Sequence, residues 1–153
     1  MKVAHITLLL LFVLIVSECV DIEDPIISEN LAEYSYSKRA NIWYFGQNAG
    51  LDFNDLDPNG NPRVLTDGQI NTLEGCSVMC DENGRLLFYS DGVTVWNRLH
   101  EIMPNGTDLK GSFTSTQSAL IVPHPGNTFL YYIFTTSPQA HPDGLNYNIL
   151  TTI

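Results

Sequence analysis

A short acidic segment is the most specific candidate for metal chemistry in this sequence. Asp55, Asp57 and Asn59 stand at alternate positions and Gly60 follows, which matches the first half of a calcium loop, D-x-[DN]-x-[DN]-G. Alternating oxygen ligands converge on a hard cation, and the glycine permits the sharp turn. The twelfth position, where a bidentate Glu is expected, is Thr66. The segment therefore predicts either a calcium site or a turn rich in Asp, Asn and Gly.

Other chemically capable residues lack a spacing that defines a site. Asp67 and Glu74 are carboxylates of the kind that glycosidases use in pairs, but the sequence does not define their separation. His100, His124 and His141 show no metal-binding spacing. The sequence also lacks a P-loop, a G-x-S-x-G elbow and a G-x-G-x-x-G fingerprint. We therefore predict a non-catalytic chain, with calcium as the one candidate cofactor.

Two cysteines lie on one predicted strand. Cys76 and Cys80 are four residues apart, so they share a face of the strand. In an extended strand their Cα atoms lie ~13 Å apart, which is beyond the ~7 Å limit for a disulfide. We expect two buried free thiols that pack as small apolar side chains.

The composition excludes several classes of protein. Asp and Glu outnumber Lys and Arg by 17 to 7 in 153 residues, and the net charge is −10. Binding to a phosphate backbone needs clustered Lys and Arg, so nucleic acid is not an expected partner. The same charge argues against a basic membrane-surface helix. Apolar residues make up 44% of the chain, which is too many for a disordered protein.

The N-terminal segment Met1–Cys19 has the pattern of a secretory signal peptide. Lys2 precedes the apolar run Ile6–Val16, which is shorter than the ~20 residues needed to span a bilayer. The small residues Ser17 and Cys19 place the predicted cleavage near Cys19. An uncleaved anchor and a lipoprotein signal lipidated at Cys19 are the alternatives. The signal predicts a secreted or cell-surface protein without a membrane span in its mature chain.

The mature sequence changes character near residue 41. Val20–Ala40 carries five acidic residues and no glycine, which predicts an exposed acidic leader or linker, with a short helix over Ser28–Tyr36 as the alternative. From Gly46 to Gly144 a glycine recurs about every ten residues, between runs rich in β-formers. This texture predicts an all-β protein: a sandwich, a barrel or a propeller.

The apolar runs between turn signals place eight antiparallel strands. Asn83-Gly84 and Asp91-Gly92 are expected to form tight hairpin turns. The predicted strands are Asn41–Phe45, Cys76–Cys80, Arg85–Ser90, Val93–Asn97, Glu101–Met103, Gln117–Val122, Phe129–Thr135 and Leu145–Thr151.

One of these strands is apolar on both faces. In Arg85–Ser90, alternation directs Leu86 and Phe88 one way and Leu87 and Tyr89 the other. This strand is therefore expected inside a sheet that is covered on two sides.

A unit of four strands recurs along the chain. Aligning Ser77-Val78 with Ser118-Ala119 gives an offset of 41, and aligning Leu87-Phe88 with Tyr132-Ile133 gives 45. Four strands at this period are typical of a propeller blade. A Greek-key sandwich is the alternative fold.

Four segments in order resemble a known family. They resemble the N-terminal propeller-like region of large bacterial surface proteins associated with gliding motility and type IX secretion. The resemblance implies a WD-type or quinoprotein-like β-propeller in an exported multidomain protein, and it carries over no catalytic residue. The segments are NIWYFGQNAGLDF (Asn41–Phe53), LTDGQINTLEGCSVMCDENGRLLFYSDGVTVWN (Leu65–Asn97), IMPNG (Ile102–Gly106) and STQSALIVPHPGN (Ser115–Asn127).

This sequence departs from the family pattern in two places. Asp55–Pro62 looks like extra length before Leu65, and Cys80 stands where a small polar residue is expected. In addition, Asn41–Ile153 is long enough for only about 2.7 blades at roughly 42 residues each, whereas closed propellers have four or more. The length predicts a partial, truncated propeller.

The leading functional hypothesis is a non-catalytic propeller portion of an exported or cell-surface protein, which serves adhesion, display or ligand binding. Its expected partner is a surface ligand, either a protein or a glycan. One alternative is a fragment of a propeller-type enzyme: a glycoside hydrolase, a lyase or a quinoprotein-like dehydrogenase. The other alternative is a truncated product without an independent function.

Overall fold

The computed structural model describes residues 37–139 and 141–152. These residues form nine β-strands and a three-residue 3-10 helix, Lys38–Ala40, with no α-helix among them. The all-β prediction is confirmed. The strands are β1 (Ile42–Phe45), β2 (Ala49–Leu56), β3 (Pro62–Leu65), β4 (Ser77–Cys80), β5 (Leu86–Ser90), β6 (Val95–Asn97), β7 (Ala119–Pro123), β8 (Leu130–Thr136) and β9 (Leu145–Thr151).

The strands form three antiparallel sheets in chain order. Sheet 1 contains β1, β2 and β3, sheet 2 contains β4, β5 and β6, and sheet 3 contains β7, β8 and β9. Each sheet is a meander in which consecutive strands pair. Hairpins of this kind need only short turns, which the Gly- and Asn-rich segments supply.

Strands β2 and β3 were not predicted from the sequence. The buried face of β2 carries Gly50 and Asp52, while the apolar Leu51 and Phe53 are only half-buried. A half-buried strand usually places its apolar side chains on the buried face and its polar side chains on the exposed face, and β2 does the reverse. A side chain at Gly50 would collide with the ring of Tyr44, so the packing itself requires the residue that makes β2 resemble a loop.

The predicted fourth strand of the second unit is reduced to an irregular segment. Trp96 and Ile102 form a single bridge, and Met103 N–H donates to the Val95 carbonyl at 3.0 Å. Further on, Leu109 N–H donates to the Val93 carbonyl at 3.0 Å. A tight turn that starts at Met103 interrupts this pairing, so each sheet has three regular strands where the period predicted four.

Sheet 2 is covered on both faces, as predicted for its central strand. One face of β5 contributes Tyr89 to a core with sheet 1, and the other contributes Phe88 to a core with sheet 3. The predicted alternation of the leucines was wrong, because Leu86 lies on the Tyr89 side and Leu87 on the Phe88 side. The cause is a bulge where β4 pairs with β5, which shifts the register by one residue.

The first strands of the three sheets contact one another in series. Strand β1 contacts β4, and β4 contacts β7. Ile121 N–H on β7 donates to Ser77 Oγ on β4 at 3.2 Å. The segments that enter β4 and β7 also meet, because Thr72 Oγ1 donates to the Phe113 carbonyl, 41 residues away, at 2.9 Å.

The predicted signal peptide, Met1–Cys19, lies outside the described residues, as does most of the predicted leader, Val20–Ala40. Of the leader, residues 37–40 are described, and Lys38–Ala40 form the 3-10 helix. In the part of the chain that the structure describes, we find no helix with the length and apolar character needed to cross a membrane.

Candidate functional site

Four polar or aromatic side chains converge where sheet 1 meets sheet 2. Tyr44 comes from β1, Asp67 from the segment after β3, Tyr89 from β5 and His100 from the turn after β6. We call this group the Asp–His–Tyr cluster. It brings together residues that are up to 56 positions apart, so only the packing of the two sheets assembles it.

A chain of hydrogen bonds links the four side chains. Tyr44 O–H donates to Asp67 Oδ1 at 2.8 Å, and His100 Nε2 lies 3.4 Å from Asp67 Oδ2. The Tyr89 hydroxyl lies 3.0 Å from His100 Nδ1 and accepts the Gln69 backbone N–H at 3.1 Å. A neutral imidazole with its proton on Nε2 gives each of these atoms a partner.

Aromatic packing holds the cluster in place. The rings of Tyr44 and Tyr89 stack at 4.8 Å between centroids, and the Tyr89 ring stacks on Trp96 at 5.5 Å. The imidazole of His100 meets the edge of Tyr44 at 5.6 Å. Such pairs add about 0.5–1.5 kcal/mol each beyond the area they bury.

The order carboxylate, imidazole, hydroxyl is that of a nucleophilic triad. A nucleophile must also meet its substrate, and Tyr89 is fully buried. The Asp67 side chain is the most exposed of the three, at 58%, and the His100 side chain is 22% exposed. The arrangement can therefore lock the junction between two sheets, but it does not present an attacking hydroxyl.

Burial raises the pKa of both tyrosines, and the Asp67 carboxylate raises that of Tyr44 further. Burial, followed by the hydrogen bond to Asp67, raises the pKa of Tyr44 far above its usual value. Burial also raises the pKa of Tyr89. In both cases the neutral hydroxyl is favoured because the phenolate would be desolvated.

This shift predicts a loss of stability in alkali. Unfolded tyrosine ionises near pH 10, whereas the folded protein keeps Tyr44 protonated above that pH. The folded state then binds more protons, so the free energy of unfolding falls as the pH rises above about 10. Urea unfolding between pH 8 and 11.5 measures this slope. Tyr44→Phe should make the slope shallower, and an unchanged slope would contradict the assignment.

Three hairpin turns in sheets 1 and 2 share one geometry. In each, the first residue accepts two backbone N–H groups on its side-chain Oδ1, and the fourth residue has a positive φ. The first residues are Asp57, Asp81 and Asn97. The fourth residues are Gly60, Gly84 and His100, with φ of 85°, 85° and 63°.

His100 thus stands where the sister turns have glycine. A side chain in the left-handed region is strained by roughly 1–2 kcal/mol. The imidazole contacts to Tyr89 and Asp67 offset this strain. Aligning DPNGN (57–61), DENGR (81–85) and NRLHE (97–101) reveals the substitution, and this is the signal that sequence reasoning missed.

Two substitutions at His100 separate the strain from the contacts. His100→Ala loses the imidazole contacts but keeps the strained backbone, and we expect it to destabilise the protein by about 2–3 kcal/mol. His100→Gly loses the same contacts but relieves the strain, so it should cost about 1 kcal/mol less. Urea unfolding of the two variants measures the difference. A His100→Gly variant more stable than the wild type would mean that the imidazole contributes less than its strain costs.

The residues of the predicted calcium loop lie on the β2–β3 hairpin. Asp55 is the penultimate residue of β2, and its Oδ2 lies 3.2 Å from Arg63 Nε. Asp57 begins the turn, and Asn61 Nδ2 donates to its Oδ2 at 3.0 Å. Asn61 also donates its backbone N–H to Asp57, and the two hydrogen bonds from Asn61 lower the pKa of the Asp57 carboxyl. Asn59 contributes its backbone N–H to Asp57 Oδ1 at 2.8 Å. These contacts favour the turn, and the calcium site stays a prediction.

Asp57→Ala distinguishes the turn from the calcium site. Loss of the three accepted hydrogen bonds should lower the free energy of unfolding by about 1–2 kcal/mol. If Asp57 serves only the turn, Tm should be the same in millimolar calcium and in EDTA, for the wild type as well as the variant. A rise in the Tm of the wild type with calcium, absent in Asp57→Ala, would instead support the metal site.

The two carboxylates considered as a catalytic pair, Asp67 and Glu74, have different hydrogen-bond partners. Asp67 belongs to the Asp–His–Tyr cluster, whereas Glu74 Oε2 accepts the Thr116 hydroxyl at 2.9 Å. Among residues 37–139 and 141–152, no three His, Cys, Asp or Glu side chains gather as a metal site would require. Asn59, whose possible metal ligand is an amide oxygen, is not one of these four residue types.

The two cysteines are free thiols, as predicted. Cys80 is fully buried, but Cys76 is only partly buried, and its Sγ lies 3.2 Å from the Tyr44 carbonyl. Burial raises the pKa of both thiols, which keeps them protonated and unreactive.

A groove of about 510 Å³ runs between sheets 2 and 3. Its floor is apolar and includes Leu109 and Ile133, while Asn105 and Asn148 lie along it. A concave apolar surface with a few polar groups is the usual form of a ligand site.

The fold defines an all-β protein of three antiparallel meanders with a hydrogen-bonded Asp–His–Tyr cluster at one junction. Comparison of the chain with protein-family models, curated proteins and solved structures finds no match.

Proposed function

We propose that the three sheets are consecutive blades of a β-propeller, which acts as a non-catalytic binding or display module of an exported or cell-surface protein. The observation that carries the proposal is the serial contact of the first strands, β1 with β4 and β4 with β7. In a propeller, successive four-stranded blades are arranged around a central channel. Serial contact of equivalent strands is the arrangement that this geometry requires.

Two further features support the blade arrangement. The segment after β6 runs antiparallel to it with irregular pairing, as a degraded fourth strand would. The entry segments of sheets 2 and 3 meet through Thr72 and Phe113, which lie 41 residues apart, close to the length of one blade.

The non-catalytic part of the proposal rests on the Asp–His–Tyr cluster. The hydroxyl next to the imidazole belongs to Tyr89, which is fully buried and already bonded to His100 and Gln69. Export is inferred from the signal-like Met1–Cys19. The groove between sheets 2 and 3 is the proposed site for a surface glycan or peptide.

An array of surface glycans and peptides tests the proposal. The full chain should bind an immobilised member and leave it chemically unchanged by mass spectrometry. Asn148→Lys, which places a charge beside the groove, should weaken binding at least tenfold, whereas Asn83→Lys, on the β4–β5 turn, should bind as the wild type does. Cleavage or modification of the bound molecule would favour a propeller-type enzyme, and no binding at all would contradict the proposal.

A further inference from the structure

Two sheet faces carry exposed apolar side chains. One belongs to sheet 1 and one to sheet 3, and we call them the sheet 1 outer face and the sheet 3 outer face. The sheet 1 outer face consists of Trp43, Phe45, Leu51, Phe53 and Val64. The sheet 3 outer face consists of Leu120, Val122, Tyr132, Phe134, Tyr147 and Ile149. Neither set contains a charged residue.

The two faces correspond to the two halves of a repeated junction. In the first strand of each sheet, one residue faces the following sheet and its neighbour faces the preceding one. Tyr44 and Met79 face the following sheet and are 4% and 8% exposed. Leu120 occupies the same position in sheet 3 and is 49% exposed. Each earlier sheet buries this position against its successor, so the sheet 3 outer face has the character of a surface that receives another sheet.

The residues that face the preceding sheet can be compared in the same way. Val78 in sheet 2 packs against the core shared with sheet 1, and Ala119 in sheet 3 is fully buried. Trp43 is the equivalent residue of sheet 1, and it is 49% exposed. The sheet 1 outer face is thus the side that receives a preceding sheet. The two faces are complementary. The sheet 3 outer face corresponds to the side of a sheet that packs on the following sheet, and the sheet 1 outer face corresponds to the side that packs on the preceding sheet.

We propose that a second copy of this chain fills both faces, with the sheet 3 outer face of each copy packed on the sheet 1 outer face of the other. This inference rests on the proposed propeller geometry. A two-fold axis makes both new junctions identical, so the assembly closes instead of growing into a filament. The product is a ring of six sheets, within the four to eight blades that propellers contain.

The absence of charged side chains from both faces matters for association. The chain has a net charge of −10, so two copies repel at long range. The contact itself juxtaposes no like charges, and salt screens the long-range repulsion. Association should therefore strengthen as the salt concentration rises.

Light scattering coupled to gel filtration tests the pairing with the full chain. The wild type should elute at twice the chain mass. Val64→Lys blocks the sheet 1 outer face, and Ile149→Lys blocks the sheet 3 outer face, so each variant alone should be monomeric. Leu73→Lys changes an exposed leucine outside the sheets and should leave the dimer intact. Circular dichroism of each variant checks that the fold is retained.

Mixing the two blocked variants is the decisive step. Val64→Lys leaves the sheet 3 outer face unchanged, and Ile149→Lys leaves the sheet 1 outer face unchanged. These two unchanged faces can pack together, so the mixture should recover a dimer that is held by one junction. A face-to-itself dimer would lose association in only one variant and would not recover on mixing, which would overturn the proposal. A monomeric wild type would overturn it as well. Neither result bears on the array experiment, which tests binding and turnover independently of self-association.

Discussion

Gly92→Ala is expected to destabilise the protein by about 2–5 kcal/mol. Gly92 forms the β5–β6 hairpin with a φ of 90°, a conformation that costs an L-residue roughly 1–2 kcal/mol. In addition, a Cβ at this position would lie 2.6 Å from the Ser118 carbonyl oxygen, and a backbone atom cannot yield as a side chain does. Overpacking of this kind costs a further 1–3 kcal/mol or so. Urea unfolding followed by tryptophan fluorescence measures the loss.

Gly60→Ala is the matched control for this prediction. Gly60 has a similar φ of 85°, but no atom lies within 4 Å of the position that a Cβ would occupy. It should therefore show only the backbone strain, about 1–2 kcal/mol. The difference between the two variants isolates the close approach of the hairpin to Ser118. Equal losses in the two variants would mean that the segment entering β7 moves aside without cost.

Phe88→Ala should lower the free energy of unfolding by about 3–5 kcal/mol. Phe88 is fully buried on the face of sheet 2 that packs on sheet 3, with its ring edge-on to Tyr131 at 5.2 Å between centroids. Truncation removes the transfer free energy of the ring and leaves a cavity that the two sheets fill only in part. The expected signature is a reduced urea midpoint with an unchanged m-value.

Phe129→Ala provides the matched control, because the same substitution there removes an exposed ring. Its expected cost is within about 0.5 kcal/mol. A double-mutant cycle of Phe88→Ala with Tyr131→Ala should give a coupling energy of about 0.5–1.5 kcal/mol, as is usual for aromatic pairs. A cost at Phe88 no larger than that at Phe129 would contradict the packing of sheet 2 on sheet 3.

The hairpins of sheet 2 were predictable because their signals are local. Asn83-Gly84 and Asp91-Gly92 supply the positive φ at Gly84 and Gly92 that such turns need. The strands that flank them are apolar runs bounded by these turns. All the information needed to place them lies within a few residues.

Strands β2 and β3 of sheet 1 were missed because they depend on distant contacts. The buried Asp52 is paired with Arg63 at 2.9 Å and accepts two hydrogen bonds from Asn54. Burial opposes ionisation, but these bonds outweigh it and lower the pKa of the Asp52 carboxyl. A strand with Gly and Asp on its inner face has the sequence pattern of a loop. The sequence does not show that Arg63 and Asn54 bind the buried Asp52 and so stabilise it there.

The Asp–His–Tyr cluster was missed for a related reason. Asp67 was considered with Glu74, and His100 with the other histidines, because nothing in the spacing joins Asp67 or His100 to Tyr44 or Tyr89. Their meeting depends on sheet 1 lying against sheet 2, and the bulge in β5 decides which of its residues face that junction. A one-residue shift in register would have pointed Tyr89 away from His100.

Local patterns in this sequence determined an acidic, all-β chain with its turns and most of its strands. Those features follow from neighbouring residues, through backbone φ preferences and the two-residue period of a strand. The tertiary structure alone decided the pairing of β2 with β3, the burial of Asp52 and the assembly of the Asp–His–Tyr cluster. These depend on groups that are distant in sequence and that become neighbours only when apolar faces pack together and exclude water.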